Sequence, residues 1–197
     1  MTEKVTYHNL IDQLKQSEKD IVIRNTSKPN LTTVSLTQDL INLKVYDCFV
    51  FTKNRTSIKL CFLQYEHHLH FTRSPGTLAR VDVSFYTLGI IKTKRVYPHT
   101  IIQPESYADK LHDLLFNSDI KFPNQNEFNS KYYISTENKD NLIDSFAIDT
   151  MNYLCNFEEV YLELRGNNCF FRLDKKSIEY NQVIGYLKFG FGFCDLL

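Results

Sequence analysis

The chain has 197 residues, with 23 Lys and Arg against 23 Asp and Glu and a formal net charge of zero. Hydrophobic residues make up 43% and aromatics 14%, enough apolar surface to offset the entropy of ordering, which excludes a disordered or low-complexity chain. The zero net charge, with no Lys/Arg run longer than two residues, removes the long-range field on which a nucleic-acid binder depends.

No window approaches the roughly 18 apolar residues that span a bilayer. Residues 1–20 interleave charges and lack the apolar core of a signal peptide, so the expectation is a cytoplasmic protein. It should form a single compact unit over 1–197, with a β-meander half at 1–122 and a βαββα half at 123–197 as the natural division.

In chain order, Leu10, Ile11 and Leu14 predict a short amphipathic helix over 6–16, followed by a strand over 20–24. Residues 25–39, rich in Ser, Thr and Asn with Pro29, read as a surface loop. From Val45 the pattern is strongly β, with a turn at Asn54-Arg55, a second at His67 and a third at Ser74-Pro75-Gly76. This describes an antiparallel meander of about four strands. In the last of these, Val81, Val83 and Phe85 alternate with Asp82, Ser84 and Tyr86, which predicts the valine face buried and the other wet.

A short strand interrupted by Pro98 should follow, then a helix opened by Pro104 with Ala108, Leu111, Leu114 and Leu115 on one face. Residues 119–130 read as a connecting loop. Beyond it the pattern is a strand at KYYIST, a helix over 139–155 capped by Asn138, a hairpin turning at Gly166, and a helix over 175–189 ending near Gly190. In the hairpin, Val160, Leu162 and Leu164 form the apolar face, and Glu159, Tyr161 and Glu163 the polar one. The fold class is therefore α+β, an antiparallel β-rich N-terminal half followed by βαββα.

Few constellations carry chemistry. Glu66-His67-His68-Leu69-His70 is the richest, because His68 and His70 project to one strand face about 7 Å apart and could share a metal. The other histidines, His8, His99 and His112, have no spacing that recruits them. The five cysteines lie at least 13 residues apart with no CxxC, and read as small buried hydrophobes. There is no GxSxG, GxxxxGK[ST] or GxGxxG, so no catalytic residue or cofactor is assigned. The Gly190-Phe191-Gly192-Phe193 run reads as a helix stop with aromatics folded on the core, against the alternative of an exposed docking tail.

Pro104-Glu105, Asp119-Ile120-Lys121-Phe122, Phe128 through Tyr132, the helix around Phe146 and Glu163 ahead of Gly166 give the last half of the chain a recognisable outline. In these residues it resembles a family of uncharacterised bacterial proteins, many of which carry membrane-spanning helices ahead of a soluble region. The resemblance implies a fold and a bacterial origin, and carries no known activity or site. Together these features lead to the expectation of a non-catalytic protein-interaction module whose partner is another protein. The alternatives are an immunity-type inhibitor of a cognate toxin, and a metal-dependent enzyme or sensor using His68 and His70.

Overall fold

The computed structural model describes residues 2–73, 76–106, 120–173 and 180–197; of 2–8, 67–73, 76–80 and 180 the backbone alone is described. The protein is of mixed α and β structure, with an antiparallel sheet of six strands drawn mostly from the N-terminal half and most of its helices in the C-terminal half. Helix α1 (Thr2–Ser17) precedes strand β1 (Val22–Asn25). A single 3-10 turn (Ser35–Thr37) lies ahead of β2 (Ile41–Lys53), β3 (Thr56–Arg73) and β4 (Gly76–Pro104). Then come α2 (Asn126–Lys131), β5 (Tyr132–Thr136), α3 (Lys139–Ser145), α4 (Ile148–Cys155), β6 (Tyr161–Arg172) and α5 (Tyr180–Cys194).

Strands β1 to β4 are neighbours in chain order, as a meander requires. The β2–β3 turn is held by Asn54 and Arg55 at φ 49° and 69°, the left-handed pair that a two-residue type I′ connection needs. The turn expected at His67 does not form. Strand β3 runs through it to Arg73, because each of its residues from Ile58 onward has a partner in β4 and the ladder is unbroken. The Ser74-Pro75 part of the next turn, and most of the helix expected after Pro104, lie outside the described residues. Pro104 itself is not a helix start: it ends β4, opposite Tyr132.

Strand β4 organises the sheet. Residues 76–91 pair with β3, residues 89–102 with β6, and residues 100–104 with β5. The β4–β6 ladder turns a corner, because β4 takes five steps from Lys92 to Tyr97 while β6 takes two from Asn168 to Gly166. The strand on the inside must then double back. Tyr161 and Arg172 would lie about 36 Å apart in an extended chain, yet the Arg172 guanidinium carbon sits 4.0 Å from the centre of the Tyr161 ring. Gly166, at φ 59°, makes the reversal. The two strands expected over this region are thus arms of one run, both bound to β4. Pro98 is tolerated at the same corner, where the register slips between Tyr97 and Thr100.

The main core lies on the first face of the sheet, where Phe51, Ile58, Leu60, Phe62, Ile102, Leu162, Leu164 and Phe171 pack with Leu14, Leu142, Leu154, Val183, Phe189 and Phe193 from the helices. The helix expected over 139–155 is broken at Phe146, which is extended (φ −91°, ψ 103°). The break drives its ring inward against Tyr97, Phe122 and Phe128. Phe128 belongs to α2, in the region expected to be loop. The Asn138 cap forms, its side chain accepting from Asn141 N–H at 3.1 Å.

Helix α5 does not stop near Gly190 but continues to Cys194, with Phe189 and Phe193 fully buried and Phe191 half-buried. Its glycines serve close packing, since a Cβ at Gly190 would lie 2.7 Å from Ile58 Cδ1 and one at Gly192 within 3 Å of the Tyr153 ring. Gly89 is tighter: Phe171, its partner in the ladder, lies across it, and a Cβ would meet the ring at 2.1 Å. Because Phe171 is fully buried and cannot yield, Gly89→Ala should cost roughly 3 kcal/mol through overpacking. Urea unfolding checks this, with Phe171→Leu in the same chain recovering part of the loss.

Candidate functional site

The second face of the sheet carries a smaller core of Cys48, Cys61, Leu63, Tyr86 and Leu88, and its cover is the segment over 26–40. Leu31, Val34 and Thr37 of that segment are buried, which corrects the expectation of a plain surface loop. The periodicity was weak because the segment packs through an irregular turn. Thr37 Oγ1 donates within it to Leu31 and Val34 carbonyls at 3.1 and 2.9 Å, and Asn30 Oδ1 accepts from Thr32 N–H at 3.0 Å.

What fastens the cover is polar. Glu163 is 0% exposed, although strand alternation had placed it on the wet face. The alternation itself is correct. The face opposite Leu162 and Leu164 is simply roofed over. Opposite Glu163 in the ladder is Ile101, and His99, two residues earlier on β4, shares its face. Glu163 Oε1 lies 3.1 Å from His99 Nε2 and 3.3 Å from Ser35 Oγ, and Oε2 accepts from Leu36 N–H at 3.1 Å. The Ser35 hydroxyl is also 3.3 Å from His99 Nε2. On the other side of the ring, Nδ1 faces Glu137 Oε1 at 3.5 Å, brought there by the Glu137 N–H to His99 carbonyl bond. Two further ties hold the segment: Arg165 donates to the Thr33 carbonyl at 2.8 Å, and Tyr86 Oη to the Leu36 carbonyl at 3.2 Å. Burial pushes the Tyr86 phenol well above its ordinary range, with the nearby Arg172 opposing. The hydroxyl therefore remains a donor.

Serine, histidine and two carboxylates in this order invite comparison with a nucleophilic triad, and the geometry answers it. Ser35 Oγ donates its one hydrogen to Glu163 Oε1 at 3.3 Å, so that hydrogen is directed at a carboxyl oxygen and not at His99 Nε2, as a nucleophile's would be. The Leu36 N–H, beside Ser35, donates to Glu163 instead of aiming at a developing oxyanion. Nor does the group hold a cation, because Glu137 and Glu163 sit on opposite ring nitrogens; among the described residues no three His, Cys, Asp or Glu side chains converge as ligands. The arrangement is a clamp. It was hidden in the sequence because its parts are 64 and 128 residues apart.

His68 and His70 are placed on β3 opposite Val81 and Ala79, and their side chains lie outside the described residues. The valine face of β4 departs from expectation at its two valines: Val81 and Val83 are 51% and 48% exposed, whereas Phe85 of the same face packs against the main core and Tyr86 of the opposite face is buried. In register, Val83 lies beside Glu66 and Glu66 beside Ile41, itself 49% exposed, so an open row of β-branched residues crosses three strands. Glu66 is steadied by Asn42 Nδ2 at 2.7 Å. No described helix is long and apolar enough to cross a membrane. Compared with known proteins, the chain matches no protein-family model, no curated protein and no solved structure.

Glu163→Ala leaves the Leu36 N–H, Ser35 and His99 facing a void in place of their acceptor and should cost about 3 kcal/mol. Glu163→Gln, whose amide oxygen can still accept, should cost less. Urea midpoints of the two variants against the unaltered protein measure both, and equal stability of all three would contradict the clamp.

Proposed function

We propose that the protein is a non-catalytic interaction module that binds another protein through the open end of the first sheet face. The observation that supports this reading is the row formed by Ile41, Glu66, Val83 and Val81, three half-exposed β-branched side chains around one carboxylate. Such apolar surface in one place on a charged exterior is the usual mark of a contact surface. It calls for a partner whose own patch is apolar and carries a donor or basic group opposite Glu66. The Ser35, His99 and Glu163 group fits this reading, since its hydrogen-bonding capacity is spent on holding a segment in place.

The test is affinity capture from the producing cell, comparing the unaltered protein with Val81→Glu/Val83→Glu and running elemental analysis on the same samples. One stoichiometric protein partner is expected, its affinity weakened at least about tenfold in the double variant, or roughly 1.4 kcal/mol. The variant's unfolding midpoint should not change, because both sites are exposed. Absence of a stoichiometric partner, capture indifferent to the two substitutions, a turnover activity in the purified protein, or stoichiometric metal lost in His68→Ala/His70→Ala would each overturn the reading.

A further inference from the structure

Beneath the clamped segment, Cys48 of β2 and Cys61 of β3 are direct partners in the antiparallel ladder. Both are free and buried, and their sulfurs are 2.8 Å apart. The Cys48 carbonyl accepts from Thr26 N–H at 3.0 Å, on the β1 side. Because a residue in a strand turns its N–H and C=O to the same side, Cys48 does not bond across to β3, and the pair is of the non-hydrogen-bonded kind. Such pairs bring Cα atoms to about 4.5 Å, within the span a disulfide bridges. None of the other three cysteines is placed this way. Cys155 is half-buried on α4, while Cys169 and Cys194 sit in the main core on β6 and α5.

We infer that Cys48 and Cys61 form a reversible dithiol–disulfide site, oxidised by low-molecular-weight disulfides. The Cys48 thiolate attacks one sulfur of the small disulfide, whose S–S bond breaks; the departing thiolate takes up the proton that Cys48 has lost. Cys61 then attacks Cys48 Sγ in the mixed disulfide and expels the second small thiol, which carries away the Cys61 proton. Two electrons pass from the cysteine pair to the small disulfide, leaving one S–S bond in the protein and two free small thiols. The order of attack agrees with the surroundings. The close contact between the two sulfurs favours the Cys48 thiolate, whereas the same contact and burial push the Cys61 thiol up. Access comes from local opening of the cover over 26–40, so the reaction proceeds at the pace of that opening.

The folded full-length protein is incubated with glutathione disulfide, then alkylated under denaturing conditions and digested with trypsin without reduction. Lys53, Arg55 and Lys59 lie between the two cysteines, so a bond joins two separate peptides. The expected result is a chain two hydrogens lighter, with two of five thiols protected, a Cys48–Cys61 linked peptide, and full recovery of the thiols with dithiothreitol. Cys48→Ser and Cys61→Ser should each leave no linked pair within the chain. Retention of all five thiols, a bond joining any other cysteines or two chains, or a bond that forms only in denaturant would overturn the inference. The unaltered protein alone decides it if either serine variant fails to fold.

Discussion

A carboxylate removed from water must find donors in the protein or the fold bears its full desolvation cost. Glu163 is such a group, and the second face of the sheet is arranged around it. Its donors come from the covering turn at Ser35 and Leu36 and from the neighbouring strand at His99, so they tie a segment early in the chain to a strand near its end. The cover closes a small apolar core over Cys48, Cys61 and Leu88, and with it in place the sheet is buried on both faces along its middle. Beyond that middle, Val81 and Val83 are half-exposed. The proposed binding surface and the proposed disulfide site thus lie on opposite sides of the same boundary.

The second organising element is β4, which alone among the described strands bonds to three others. Its corner between Lys92 and Tyr97 brings His99 to the face where Glu163 waits, on a strand that doubles back at Gly166. The corner is anchored from outside the sheet, with Arg95 donating to the Ser145 carbonyl at 2.9 Å and the Lys94 N–H to the Leu197 carbonyl at 3.3 Å. The absent side chain at Gly89 allows Phe171 to lie across the ladder just before it.

Local chemistry was legible in the sequence. The Asn54-Arg55 turn, the Asn138 cap and the apolar stripe of Leu10, Ile11 and Leu14 all follow from backbone preference and period, which act over a few residues. What escaped depends on distant partners. The His67 turn looked plausible because a polar run resembles punctuation, yet β4 supplied a partner for every residue of it. Glu163 and the valines were assigned to the right faces but to the wrong environments. Alternation says which residues share a face; whether that face is covered depends on where the helices and the 26–40 segment come to rest. Gly190 and Gly192 looked like a helix terminator, whereas contact with Ile58 and Tyr153 explains them. The clamp was the least accessible of all, since its parts come from distant stretches of chain, at Ser35-Leu36, His99 and Glu163.

Residues 31–37 are docked structure held by Glu163, not a mobile surface loop. Native-state amide hydrogen exchange of the unaltered protein tests it most directly, read at Val34, Leu36 and Thr37, whose N–H groups are bonded to the Leu31 carbonyl, Glu163 and the Val34 carbonyl. These amides should be protected well above free-chain rates, with Leu36 among the slower exchangers of the segment. Exchange of all three at free-chain rates, while the strand amides of β3 stay protected, would contradict it.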